Sequence, residues 1–460
     1  MTIINRRKIY IFLYCLGLIA LAIFFHADHF LNGDEGVTLN GAWNLYNGRR
    51  LYFDFFSFLP PLSFYLIAAL WYVVGVSFWS AKILSIFFLL LGALGLYKIA
   101  EKLKPGNFNL LVPFFFILSS SWLWIINHNF FQLILVIWSS YFFIIYLSSR
   151  RRRFLFIAAL LAGFSLITLQ QKGLAFGGAS GLFLLFQPLE LGFRNRIKPV
   201  LLYIFGILAS LVVLLLFWPP VLLWNNLLIF PLFNYLESNR ISYNLLLLAF
   251  VAFVALIFTL RTQLTKSKLF LLVITGALLI SCYPLPDYYH LSLALSPLIA
   301  LLPELLLSIK GWRRDLWSWL SLGILSYLWL WPVSIFFAFL LFNFSFSAPY
   351  PFLDYIRREC PGEYLHVGPF LPGVYLETGK LSATSFDILI TGHQTESQFI
   401  QAAAQLKAAP PSCAVTVFSP SLRRFRHDIN NPVDVFIRDN YQPVFFDGAI
   451  TVWRRAFLEP

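Results

Sequence analysis

The side chains of this 460-residue chain with the most capacity for chemistry begin in one short early stretch. Asp34 and Glu35 stand side by side in Gly33-Asp34-Glu35-Gly36, and Asp54 follows in Tyr52-Phe53-Asp54-Phe55, shortly before Pro60-Pro61. A carboxylate held beside a hydroxyl can orient it, or take its proton as it attacks an electrophilic carbon. A second group is cationic or hydrogen-bonding: Lys172, Arg240, Tyr289 and His290, with His128 and Asn129 in Asn127-His128-Asn129-Phe130. Such groups can hold a phosphate as negative charge builds on it. Each residue also has a plainer reading. Asp34 can be a helix N-cap, Lys172 a snorkelling lysine, and His128 an interfacial polar residue. Tyr289 and His290 can belong to an aromatic belt, and Arg49-Arg50 can touch anionic headgroups. Capping does not account for Glu35.

The elements that must position these residues are set by composition. Hydrophobic residues make up 59% of the chain, charged residues 12%, and the mean hydropathy is +0.75. So few charges cannot cover the outside of a soluble fold. With aromatics at 19%, the chain reads as a polytopic membrane protein whose rings gather at two interfaces. The net charge of +13 does not indicate nucleic acid, because the basic residues sit in short clusters between apolar runs. No Walker A motif, glycine-rich dinucleotide loop or Cys/His metal spacing occurs. Cys15 and Cys282 lie in apolar runs. Cys360 and Cys413 share a polar C-terminal segment and can form one bridge if that segment faces an oxidising compartment.

Apolar runs long enough to span a membrane begin near residue 9 and recur to residue 341. The first follows Asn5-Arg6-Arg7-Lys8, which predicts a cytoplasmic N-terminus. Later basic clusters occur at Lys98/Lys102/Lys104, Arg150–Arg153, Arg194/Arg196/Lys198, Arg261/Lys266/Lys268 and Lys310/Arg313/Arg314. The alternate loops hold only Arg49, Arg50, Lys82, Lys172 and Arg240. All the clusters fall on one side only if the run 61–78 does not cross. The expectation is therefore about eleven transmembrane helices, with 61–78 dipping into the outer leaflet or packing on the bundle. Residues 1–341 are then the transmembrane domain, 27–81 a first outer loop with interfacial helices, and 342–460 a small extracytoplasmic α/β domain. In that domain Cys413–Phe418 and Ala449–Trp453 alternate as strands, and Phe399–Leu406 reads as a helix.

The apolar spans carry almost no ionisable groups mid-membrane, which speaks against an ion-coupled transporter. Leu39, Ala42, Trp43 and Tyr46 form a helical stripe after Asp34 that ends at Asn47-Gly48.

Together with Leu51–Phe55 and Pro60-Pro61-Leu62-Ser63-Phe64-Tyr65, the Gly33–Gly36 motif resembles the first outer loop of GT-C glycosyltransferases. The protein O-mannosyltransferase and aminoarabinose transferase-like branch is the most similar. Gln171-Lys172-Gly173 resembles that branch's outer Lys-Gly, and Tyr288-Tyr289-His290 with Pro297-Leu298 resembles its late outer turn and proline-bearing helix. The resemblance implies a membrane glycosyltransferase that moves a hexose or pentose from a polyprenyl-phosphate donor to an acceptor hydroxyl at the outer face of a plasma or inner membrane. Asp34 would be the catalytic acid-base residue with Glu35 beside it, and Lys172, Arg240, His290 and Tyr289 would bind the donor phosphate. Asp54, His128 and Asn129 are further candidates. A divalent metal, Mg or Mn, is compatible with the family. The chain departs from it at Asn127-His128-Asn129, where members often carry an Asp. A transporter or flippase for a lipid-linked glycan, or a non-catalytic subunit on this fold, would use the same outer cavity. The acceptor, whether protein, lipid or glycan, is open.

Overall fold

The computed structural model describes residues 3–26, 33–186, 193–234, 243–308, 316–343, 350–417 and 427–456. The chain opens with α1 (Ile3–His26), α2 (Gly33–Tyr46), α3 (Leu62–Val74), α4 (Phe78–Leu103) and α5 (Leu111–Ser119). There follow α6 (His128–Ser149), α7 (Arg152–Leu166), α8 (Gln170–Phe186), α9 (Phe193–Phe217), α10 (Pro220–Trp224) and α11 (Phe230–Phe233). The last of the apolar helices are α12 (Tyr243–Leu260), α13 (Lys266–Ile280), α14 (Tyr288–Leu295), α15 (Leu302–Ser308) and α16 (Leu316–Asn343). The C-terminal part contains α17 (Pro351–Glu359), β1 (Tyr364–Gly368), α18 (Gly373–Thr378), β2 (Leu381–Ser382) and α19 (Glu396–Ala408). It closes with β3 (Cys413–Val417), α20 (Pro432–Asn440), β4 (Tyr441–Asp447) and β5 (Ile450–Arg455).

Two compact units emerge. One contains residues 1–27, 82–217 and 241–344; the other contains 28–81, 218–240 and 345–460. The first is a helical bundle. Among the described residues six stretches are long and apolar enough to cross a membrane, with shorter apolar helices beside them. Small residues let its backbones approach. An added Cβ on Gly163 would meet Ser210 at 2.6 Å, and one on Gly206 would meet Ala159 at 2.5 Å. Phe143 stacks on Phe270 at 4.0 Å in the middle of the core. Lys268 and Glu304, both buried, pair at 2.5 Å between α13 and α15.

Two long apolar runs of the sequence, 108–126 and 291–308, are not continuous α-helices. The run 108–126 stops being helical after Ser119, where the Ser119 and Ser120 hydroxyls donate to the Phe116 carbonyl at 3.0 and 2.7 Å. This offers the backbone an alternative to continuing the helix. The run 291–308 divides at a 3₁₀ segment, Ser296–Leu301, that contains Pro297.

In the second unit, α3 has 13 residues and is about 20 Å long. That is short for a ~30 Å hydrocarbon core. It ends at Gly75, whose φ of +88° favours glycine. A five-stranded sheet has the order β2-β1-β3-β5-β4. β1 runs parallel to β2 and β3, while β5 is antiparallel to both β3 and β4. Helix α19 begins with a capping box in which the Thr395 and Gln398 side chains satisfy each other's backbone N–H groups. A disulfide joins Cys360, at the end of α17, to Cys413, the first residue of β3.

The early acidic segment folds as part of this same unit, a grouping that no sequence pattern announces. Trp43 Nε1 donates to the Lys380 carbonyl at 2.8 Å, and Phe56 N donates to the Ser385 carbonyl at 2.8 Å. Trp218 Nε1 donates to the Leu51 carbonyl at 3.0 Å.

Candidate active site

Asp34 and Glu35 occupy the first turn of α2. Asp34 therefore lies within the helix's first turn, not at the cap position of its plainer reading. Negative charge is favoured there by the partial positive charge of the helix N-terminus. Asp34 is half-buried and Glu35 is 3% exposed. The two flanking glycines are required by packing. An added Cβ at Gly36 would lie 2.6 Å from the backbone nitrogen of Gly373, and one at Gly33 would strike the Phe370 ring. The Gly33–Gly36 motif thus seats two acids against the 370–373 segment.

Further along α2, Asn44 donates to Asp387 Oδ2 at 2.8 Å and accepts from Arg49 at 3.0 Å. Arg49 also donates to the carbonyls of Asp54 and Thr384. It is an internal brace, not the headgroup contact suggested by its sequence position. Asp54 accepts from the Arg50 backbone N–H at 2.7 Å and from its guanidinium at 3.0 and 3.1 Å. These hydrogen bonds hold the Asp54 carboxyl below its usual range and tie down the turn that carries it.

Burial pushes the Asp387 carboxyl up to about 6, against weaker opposing effects of Arg49, Asn44 and Ser382. A carboxyl with a raised folded-state pKa stabilises fully below its unfolded value, and that stability is lost as pH rises through the folded value. Asp387→Asn keeps an acceptor for Asn44 and removes the buried charge. The variant should gain up to about 3 kcal/mol over wild type at pH 7–8. The gain should vanish below about pH 4; denaturant unfolding across that range measures it.

The bundle holds the second set of residues. Helices α6, α8 and α14 begin at His128, Gln170 and Tyr288, and their first turns bring Lys172 and His290 within electrostatic range of His128. Asn127 caps α6, accepting from Asn129 N at 2.8 Å. Asn129 Nδ2 donates to His128 Nε2 at 3.0 Å, which leaves the proton on His128 Nδ1. That nitrogen is buried without a hydrogen-bond partner. Lys172 is 3% exposed, and its Nζ likewise has none. Its ammonium is enclosed, so it does not snorkel to solvent. Gln171 locks the start of α8 by donating to the Ser281 carbonyl at 2.6 Å and to that of Tyr283.

Asp287 caps α14, accepting from His290 N at 2.9 Å and pairing with His290 Nδ1 at 2.7 Å. It also lies within electrostatic range of Lys172. Tyr289 is buried, and its hydroxyl donates to the Trp124 carbonyl at 3.1 Å. Two buried donors without acceptors, at three converging helix N-termini, make a place for an anion. Arg240 lies outside the described residues. Among those described, no three His, Cys, Asp or Glu side chains gather as a metal-ligand set.

Sequence reasoning singled out Lys172, His128 and His290, but not Asn40, Asn44 or Asp387. The i, i+4 spacing of Asn40 and Asn44 was a usable signal for two polar groups on one face of α2. Nothing near Asp387 marks it.

A family model described as dolichyl-phosphate-mannose-protein mannosyltransferase matches residues 59–224. The fold is similar to that of ArnT from Cupriavidus metallidurans, solved bound to undecaprenyl phosphate. Identity is 12%, the TM-score 0.63, and 96% of this chain and 97% of that one are covered. The chain has a GT-C-type fold. It is also similar to the archaeal oligosaccharyltransferase AglB from Archaeoglobus fulgidus, in complex with an inhibitory peptide and a dolichol-phosphate. There the identity is 10% and the TM-score 0.57, over 99% of this chain and 75% of that one. The mycobacterial arabinofuranosyltransferase AftD aligns at 14% identity and a TM-score of 0.50, covering 97% of this chain and 41% of that one. No curated protein sequence matches the chain. Its fold, apolar membrane helices followed by a small C-terminal α/β domain, is of the ArnT-like form.

Proposed function

We propose that this GT-C protein is a glycosyltransferase that moves a sugar from a polyprenyl-phosphate donor to an acceptor hydroxyl at the outer face of the membrane. The observation that carries this reading is the pair of buried donors without acceptors, Lys172 Nζ and His128 Nδ1. A donor phosphate would satisfy both as the bond to the anomeric carbon breaks and charge collects on the departing oxygens. His290, oriented by Asp287, is a third group for the same anion. Asp34 takes the proton of the acceptor hydroxyl as its oxygen bonds to the anomeric carbon. Lipid phosphates bound to ArnT and AglB support a polyprenyl lipid as the carrier.

The test is release of lipid phosphate by the purified protein in nanodiscs, given polyprenyl-phosphate hexoses and pentoses. Release that depends on both Asp34 and Lys172 is expected. Donor binding without release would instead favour the non-catalytic or transporter reading.

The distribution of basic residues supports a cytoplasmic N-terminus and an extracytoplasmic domain from residue 342. The Cys360–Cys413 disulfide suits an oxidising compartment. In a Cys15→Ser background, an impermeant maleimide added to intact cells should label Ser397→Cys and miss Ser149→Cys, both at exposed positions. The reverse pattern would overturn the orientation.

A further inference from the structure

A cleft within the second unit is lined by α2 (Asn40 and Gly41), the Phe55–Leu59 segment, Phe64 of α3, and Asp387 and Gln394 of the C-terminal part. Asn40 is 1% exposed, and neither its Nδ2 nor its Oδ1 has a hydrogen-bond partner. An amide left with both ends unsatisfied is disfavoured in a folded interior. Helix α2 could have placed an apolar side chain there at no cost to its own hydrogen bonding. Asp387, on the same cleft, has Oδ2 engaged by Asn44, while its buried Oδ1 has no partner. Phe55, Phe56, Phe58 and Phe64 supply apolar walls.

An amide that can donate and accept, a carboxyl oxygen that can accept, and ring faces for C–H groups together match the chemistry of a carbohydrate. Neighbouring hydroxyls would pair with Asn40 and Asp387, and the C–H surface would lie on phenylalanine. The Asn40 amide has no exposed surface, so occupancy requires side chains at the rim to part. We infer that this cleft is a binding site for the hydroxyl-bearing end of a carbohydrate acceptor. This rests on the glycosyltransferase reading for the word acceptor, but the binding itself does not.

The test is direct binding of methyl glycosides and short oligosaccharides to the full-length protein, by ligand-observed NMR and thermal shift, without donor. Saturable binding is expected in the wild type, with at least a tenfold loss in Asn40→Leu. Asn40→Leu should keep or raise the ligand-free Tm, because it removes an unsatisfied buried amide. If that variant does not fold, Asp387→Asn replaces it, with weakened binding expected. Binding equal in wild type and variants, or no glycoside binding at all, would overturn the inference. Asn40-dependent binding of N-acetyl-serine methylamide without glycoside binding would also overturn it, in favour of a peptide site. Lipid-phosphate release from the donor is measured separately. Failure of that reaction alongside Asn40-dependent glycoside binding would remove the glycosyltransferase reading and leave the site standing.

Discussion

Asp34→Asn should lose about 10²–10⁴-fold in the rate of lipid-phosphate release, the range for removal of a general base. Folding should change little, because the amide keeps the carboxylate's shape at a half-buried position. The favourable charge at the first turn of α2 is lost, at a cost of about 0.3–1 kcal/mol. Asp34→Ala should lose turnover to the same degree, since it too removes the carboxylate. A pH profile of the rate separates chemistry from scaffolding. The wild type should show an ascending limb that disappears in Asp34→Asn. Near-normal turnover in Asp34→Asn would end the assignment and move attention to Glu35, the buried acid beside it.

Lys172→Met should weaken binding of a polyprenyl phosphate by roughly 10–150-fold, corresponding to about 1.5–3 kcal/mol for hydrogen bonds to a charged group. Without ligand, the same substitution should hold or raise the Tm. It replaces a buried ammonium that has no partner with an apolar side chain of similar length, and enclosed unpaired charge is costly. These opposite signs distinguish a ligand site from a structural lysine, whose loss would lower both quantities. Arg50→Ala is the fitting comparison. Its side chain is 71% exposed and bonds Asp54, so its effect on lipid-phosphate binding should be small. Arg49 is unsuitable, because its guanidinium braces Asn44 and the Thr384 carbonyl.

Much of the architecture is legible without coordinates, for reasons of solvent and periodicity. Runs of apolar residues must be helical in lipid, because each backbone polar group has to be satisfied within its own segment. The alternation of basic clusters therefore indicates that 61–78 stands apart, and the helix within that run, α3, has 13 residues. Short runs rich in β-branched and apolar residues at Cys413–Phe418 and Ala449–Trp453 mark strands, and β3 and β5 form there. Broken spans are harder to read, because the serines after Phe116 and the proline at 297 act through local bonding that hydropathy does not register.

The sequence by itself placed Asp34 and Glu35 at the start of a helix and left His128, Lys172 and His290 in turns at the ends of apolar runs. Helix periodicity and turn residues are local properties, and they are written in the order of the chain. Only the tertiary structure decided what those residues meet. Lys172 could equally have snorkelled, and nothing in Gln171-Lys172-Gly173 says that its ammonium is enclosed without a partner. Asn40 and Asp387 stand 347 positions apart, with no pattern linking them. They line one cleft because the early acidic segment folds in the same unit as the C-terminal sheet. Burial and partnership are properties of the surroundings, and for these residues the surroundings come from segments distant in the chain.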